Sequence, residues 1–177
     1  MRALVIYESM YGNTHLVADA IGEGLATAYQ VEVVPVGQAS PQTLGEADLV
    51  VVGGPTHVRG LSRARTREAA MSEARKPGSE LTLDPDAEGP GLRDWFHALP
   101  ASTAAKAAAF DTRIDAPAVL TGRASKGISR QLRQHGFEVV AEPRSFLVTK
   151  QNVLEPEETT RARQWGRDLA ETLATSV

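Results

Sequence analysis

Ala3-Leu4-Val5-Ile6-Tyr7, followed by Glu8-Ser9-Met10-Tyr11-Gly12-Asn13-Thr14, sets the first apolar run of the chain against a polar loop holding one glycine. Beyond the loop, Val17, Ala20, Ile21, Gly24 and Leu25 recur at helical spacing, with Asn13 or Thr14 placed to cap the start. A strand that passes through a short loop into a helix is the opening unit of a parallel α/β sheet. The start of a helix also presents unpaired N–H groups and the positive end of a dipole, both suited to an anion. Ser9, Asn13 and Thr14 add side-chain donors, and Gly12 lets the backbone come close. The loop has no Lys or Arg, so a phosphate here would rest on neutral donors. Taken alone, the loop fits two readings: a phosphate cradle, or a plain strand–helix turn whose Ser and Thr only cap.

Further runs repeat the pattern. Val31-Glu32-Val33-Val34-Pro35-Val36 partly alternates, as an edge strand does, whereas Asp48-Leu49-Val50-Val51-Val52-Gly53-Gly54 is continuous and β-branched. Continuous runs of that kind suit strands buried on both faces. Lys106-Ala107-Ala108-Ala109-Phe110 is a weaker fourth strand, because alanine also suits a helix. Glu138–Ala141 and Ser145–Val148 make a fifth, broken by Glu142-Pro143-Arg144. Between them, Leu92, Trp95, Phe96 and Leu99 follow helical spacing and stop at Pro100. Ser125 starts a helix carrying Ile128 and Leu132 that ends at Gly136, and Ala162, Trp165, Leu169 and Leu173 line one that begins near Pro156. Alternating strands and helices predict a doubly wound parallel sheet. Residues 74–91 are rich in Pro, Gly and acid, and read as a mobile surface insertion within a single domain spanning 1–177.

Composition narrows the function. The chain has 177 residues, 42% of them hydrophobic and 23% charged, with a net charge of −3. That is ordinary for one globular domain and leaves no electrostatic footprint for nucleic acid. There is no cysteine, hence no disulfide, thiolate metal site or cysteine nucleophile. The first apolar run is too short for a signal core or a membrane span, so the expectation is a soluble, cytoplasmic protein. A Walker loop, the dinucleotide Gly-x-Gly-x-x-Gly in the first loop and a Gly-x-Ser-x-Gly elbow are all missing. No His, Asp and Glu stand at metal-ligand spacing.

Ser9-Met10-Tyr11-Gly12-Asn13-Thr14 resembles the phosphate loop of flavodoxins, and its Met-Tyr-Gly core is similar to that of flavodoxin-like quinone reductases and of the flavodoxin domains of flavodiiron proteins. Gly53-Gly54-Pro55-Thr56-His57-Val58-Arg59-Gly60 is similar to the Gly-x-Pro-Thr isoalloxazine loop of the same families. The resemblance implies an α/β, flavodoxin-like, doubly wound five-stranded parallel sheet in the order 2-1-3-4-5, with helices on both faces. It implies FMN as cofactor, with Ser9, Met10, Tyr11, Gly12, Asn13 and Thr14 at the phosphate. Pro55, Thr56, His57, Val58, Arg59 and Gly60 would meet one edge of the ring, and Asp111, Thr112 and Arg113 would form a third loop. A backbone carbonyl in 58–60 would accept from the reduced ring, with Gly60 easing a peptide flip.

Two departures bear on function. Neither ring loop carries the Trp and Tyr that cover the flavin in carrier flavodoxins, leaving His57 and Tyr11 as the nearest substitutes. Trp95 and Phe96 belong to the apolar face of their own helix. Arg59, Arg63, Arg65 and Arg67 gather past the second loop, where they would stabilise reduced anionic flavin or attract the phosphate of NADPH, or else form a solvated helix face. His57 would stack on the flavin, protonate a bound quinone, or be a loop histidine with neither role; no other catalytic residue stands out. Glu8 is expected to accept from neighbouring loop amides.

Three functions follow. One is an electron carrier between a reductase and an acceptor protein. Another is an NAD(P)H-dependent FMN reductase acting on a small quinone or nitro compound. The third is a binding or regulatory module without flavin.

Overall fold

The computed structural model describes residues 1–100 and 105–174. In chain order its strands are β1 (Arg2–Tyr7), β2 (Gln30–Pro35), β3 (Leu49–His57), β4 (Gly60–Leu61), β5 (Lys106–Ile114), β6 (Glu138–Val139) and β7 (Arg144–Val148). The helices are α1 (Asn13–Leu25), α2 (Pro41–Gly45), α3 (Ala64–Ala74), α4 (Leu92–Ala98), α5 (Ala118–Thr121), α6 (Ala124–Gln134) and α7 (Glu158–Ala174).

The sheet runs β2-β1-β3-β5 and then divides, β5 pairing with β6 near its start and with β7 near its end. Every pairing is parallel except that of β3 with the two-residue β4. This is the expected doubly wound order, with the fifth position filled by two short segments. The division falls at residues 140–143, where Pro143 cannot donate to a ladder. β5 runs on past the expected Phe110 to Ile114, and β3 past Gly54 to His57.

Alternation along each strand splits the core in two. Ala3, Val5, Tyr7, Leu49, Val51, Ala108 and Phe110 face α1 and α7, together with Val17, Ile21, Leu25, Trp165 and Leu169. Leu4, Ile6, Val50, Val52, Ala107 and Ala109 face the other way, against Leu92, Trp95, Phe96, Ile128 and Leu132. The alanines of β5 are a packing choice, since small side chains on a central strand let both helical layers sit close.

Within residues 74–91, expected as a mobile surface insertion, Asp84 to Ala87 pack against the body of the domain while most of the flanking residues are exposed. Asp84 and Ala87 are buried, and the Asp84 amide donates to the Met10 carbonyl at 2.8 Å. His15 Nδ1 donates to the Asp84 carboxylate at 3.0 Å, and the Tyr7 hydroxyl donates to Asp86 at 3.2 Å. Composition suggested a loose loop; four side chains from β1, α1 and the segment itself fasten it over the start of α1.

Gly24 belongs to the apolar face of α1 because α7 crosses there at backbone contact. A Cβ on Gly24 would stand 2.1 Å from the Arg163 carbonyl oxygen. Gly24→Ala should therefore cost about 1–3 kcal/mol of stability, read as a lower urea midpoint. A midpoint equal to that of the parent chain would contradict the contact.

Candidate functional site

The loop after β1 and the C-terminal ends of β3 and β5 enclose a cleft of about 100 Å³. Ligands bind at this edge in open α/β sheets, where the chain leaves neighbouring strands for opposite faces. Ser9, Met10, Tyr11, Asn13 and Thr14 line one wall, Pro55, Thr56 and His57 a second, and Thr112, Arg113 and Ile114 a third. Val148 and Asn152 close the side. Gly12, Val58, Arg59, Gly60 and Asp111 are not among its lining residues.

The first loop is held in shape by its own donors. Gly12 sits at φ +89 as the residue before α1, and its amide donates to Ser9 Oγ at 3.1 Å. Positive φ is cheap for glycine alone, so this position fixes the residue type. Asn13 Nδ2 donates to the Asn152 carbonyl at 2.8 Å, and the Thr14 and Thr112 hydroxyls are 2.7 Å apart. The side-chain amide thus braces the loop against the segment after β7. The amides of Asn13 and Thr14, in the first turn of α1, have no intrahelical acceptor. They are the donors left for a ligand. Tyr11 leans onto α3, its hydroxyl donating to the Ala70 carbonyl at 2.9 Å.

The second loop is a hairpin. His57 pairs with Gly60 and Thr56 with Leu61, leaving Val58 at φ +44 and Arg59 at φ +70 to make the turn. Such turns favour Asn-Gly, and a β-branched residue at positive φ is a steric outlier. Val58 is also 88% exposed, so no packing explains its presence. The tip is held by Gly122, where a Cβ would lie 2.3 Å from the Arg59 carbonyl oxygen. The backbone strain falls at Val58 and Arg59, while Gly60 opens β4 without positive φ. Upstream, Gly53 and Gly54 are required by the core: a Cβ would strike the Phe110 ring at 2.1 Å from the first and Leu92 at 2.8 Å from the second.

Thr112, Arg113 and Ile114, expected in or next to a third loop, are the last residues of β5, which runs on because it pairs there with β7. Asp111 is fully buried, and its carboxylate accepts from the Ser125 amide at 2.7 Å in the first turn of α6. Arg113 donates through Nη1 to the Ala116 carbonyl at 2.7 Å, while its Nε is buried without a partner.

Glu8, just past the end of β1, is buried. Its carboxylate accepts from the amide of Leu92, the first residue of α4, at 2.8 Å and from the Ser62 hydroxyl. These donors come from distant segments, not from the neighbouring loop as expected. Arg67 is buried and donates to Asp94 at 3.0 Å, its Nη1 lacking an acceptor. Asp94 is held below the usual carboxylate range by the Gly91 amide and by Arg67. Burial lowers the His57 pKa, the Glu8 carboxylate opposing the shift and Arg67 adding to it, so the ring is neutral near pH 7. Trp95 and Phe96 lie in the core. Among the described residues, no three of His, Asp and Glu are placed to hold a metal ion, and no helix is long and apolar enough to cross a membrane.

The family profile described as Flavodoxin matches residues 5–96 of this chain. Among curated proteins, none matches the sequence. A flavodoxin from the domain Archaea is 23% identical, covering 98% of this chain and 99% of its own, with a TM-score of 0.65. Oxidised Flavodoxin 1 from Bacillus cereus is 22% identical, with 97% and 98% covered and a TM-score of 0.66. A metal-soaked flavodiiron core from Synechocystis is 17% identical; this chain is covered entirely but spans 37% of that one, at a TM-score of 0.59. At these identities the likenesses establish the fold.

Removing the Glu8 carboxylate should leave the Leu92 amide and the Ser62 hydroxyl unpaired in the interior. Glu8→Ala is expected to lose about 2 kcal/mol of stability in urea unfolding, and Glu8→Gln, which keeps an acceptor, distinctly less. Equal losses for the two variants would contradict this role.

Proposed function

The chain belongs to the flavodoxin family, and from that premise we propose that it holds FMN non-covalently in the cleft at the ends of β1, β3 and β5 and transfers electrons through it. The observation that carries this reading is the convergence of residues 9–11, 13–14, 55–57 and 112–114 on one cleft, with the first turn of α1 at its wall. FMN, when bound, supplies one- and two-electron chemistry; the protein's task is to bind, orient and tune it.

The residues present fit such a group. The amides of Asn13 and Thr14 stand at the positive end of a helix of 13 residues and suit a phosphate dianion without a metal. Ser9 and Thr14 add hydroxyls, and the Thr14–Thr112 contact joins the phosphate wall to the end of β5. The unpartnered Arg113 Nε marks positive charge beside the cleft. Pro55, Thr56 and His57 on one side and Thr112, Arg113 and Ile114 on the other would border the ring. His57, neutral near pH 7, offers it a flat aromatic face and no second charge.

As a carrier, the protein would pass electrons between a reductase and an acceptor protein. A second reading, an NAD(P)H-dependent reductase of a small quinone or nitro compound, is favoured by one observation. Neither ring-bordering wall contains Trp or Tyr, so one face of the flavin would stay open to a substrate.

Titration of FMN with the purified chain tests the binding step. Quenching of flavin fluorescence should saturate at one equivalent, and Thr14→Val should weaken binding at least tenfold, about 1.4 kcal/mol. No quenching by the parent chain would overturn the reading, and an unchanged affinity for the variant would remove Thr14 from the phosphate.

A further inference from the structure

The arginines after the second loop do not form one face. Arg67 turns inward to Asp94, and Arg65 does not line a cavity with the others. Arg59 at the hairpin tip, Arg63 at the start of α3 and Arg93 on α4 instead line one cavity of about 360 Å³, with His57 and Thr66. It is larger than the cofactor cleft and shares His57 with it. We infer that this cavity is a binding site for the phosphate groups of an anionic ligand, set beside the flavin cleft.

Four observations carry the assignment. No Asp or Glu lines the cavity, although the chain as a whole has a net charge of −3. Among the described residues, none of the three arginines has a carboxylate partner within ion-pair distance, so their charge is uncompensated. Arg93 is preorganised: Nε donates to the Ser62 carbonyl at 2.9 Å and Nη2 to the Leu61 carbonyl at 3.3 Å, leaving Nη1 for a ligand. Finally, α3 begins here, with Thr66 Oγ1 accepting from the Arg63 amide at 2.8 Å. Its first-turn amides and positive dipole end add to the field of the guanidinium groups. Arginines brought to one cavity from three elements supply the fork of N–H donors that suits phosphate oxygens.

Phosphates of this kind come from two sources: the diphosphate or 2′-phosphate of a nicotinamide dinucleotide, or free inorganic phosphate and pyrophosphate. Only the first would bring a reductant to the cleft, and that meaning rests on the FMN reading above. Anion binding itself does not.

The test uses the full ¹⁵N-labelled chain with FMN added, titrated at constant ionic strength with NADP⁺, NAD⁺ and sodium pyrophosphate. Saturable amide shifts should cluster at residues 59–66 and at Arg93, and Arg63→Gln and Arg93→Gln should each weaken binding at least tenfold. Among the described residues the Arg63 side chain makes no hydrogen bond or ion pair, so its variant remains informative if loss of the Arg93 bonds disturbs folding. NADP⁺ binding at least tenfold tighter than pyrophosphate identifies the nucleotide as the source; equal affinities identify the free anion. Shifts confined to residues 9–14, no saturable shift, or parent-like binding by Arg63→Gln would overturn the site. The flavin spectrum of the same sample reports FMN retention separately, so the two readings fail independently.

Discussion

One buried carboxylate sets the geometry on which both cavities depend. Glu8 leaves the end of β1 and takes hydrogen bonds from Ser62, which follows the hairpin, and from the first amide of α4. An interior charge is tolerated only when its oxygens are satisfied, so these two donors are bound to their places as firmly as the carboxylate is. Through Ser62 the contact positions the hairpin and the start of α3. Through Leu92 it positions α4, and with it Arg93. The cleft at the ends of β1, β3 and β5 and the arginine-lined cavity share His57. Both electrostatic environments therefore hang from the same strand end.

Positive charge is distributed around the cleft in a way that separates binding from tuning. The loop from Ser9 to Thr14 has no cation, and the donors it offers an anion are the amides at the start of α1. Arg113 lines the cleft from the end of β5, and Arg59, Arg63 and Arg93 line the neighbouring cavity. A phosphate held by neutral donors keeps its own charge, while arginines near a flavin ring favour its reduced, anionic form. The strained Val58-Arg59 turn lies between these regions, held by the close approach of Gly122. Strain of this sort persists only where surrounding contacts over-determine the backbone, and here the clamp is a single glycine.

Much of the architecture was legible in the sequence, and the misses have identifiable causes. β1 and β3 declared themselves because both faces are buried, and the broken fifth strand because Pro143 cannot join a ladder. β4 was invisible: it has two residues, and its turn carries Val-Arg where turn chemistry calls for Asn-Gly. The anchoring of Asp84 and Asp86 was out of reach of the sequence because their partners, His15 and Tyr7, are about seventy residues away or more. Gly53 and Gly54 were legible as a motif, although the cause in this fold is Phe110 and Leu92 filling the space of a side chain. The resemblance placed Asp111 in the third loop, but it lies in β5, and one oxygen of its carboxylate accepts from the start of α6. Arg93 could not be found from sequence, since only tertiary structure brings it beside Arg59 and Arg63.

The central claim is that the loop from Ser9 to Thr14 holds a flavin by its phosphate. The most direct measurement compares visible absorption spectra of the chain after incubation with FMN or with riboflavin, followed by desalting. The account predicts flavin bands that survive desalting with FMN and vanish with riboflavin, because only FMN carries the group that the first turn of α1 is built to receive. A protein left colourless in both cases, or one that retains riboflavin as well as FMN, would contradict it.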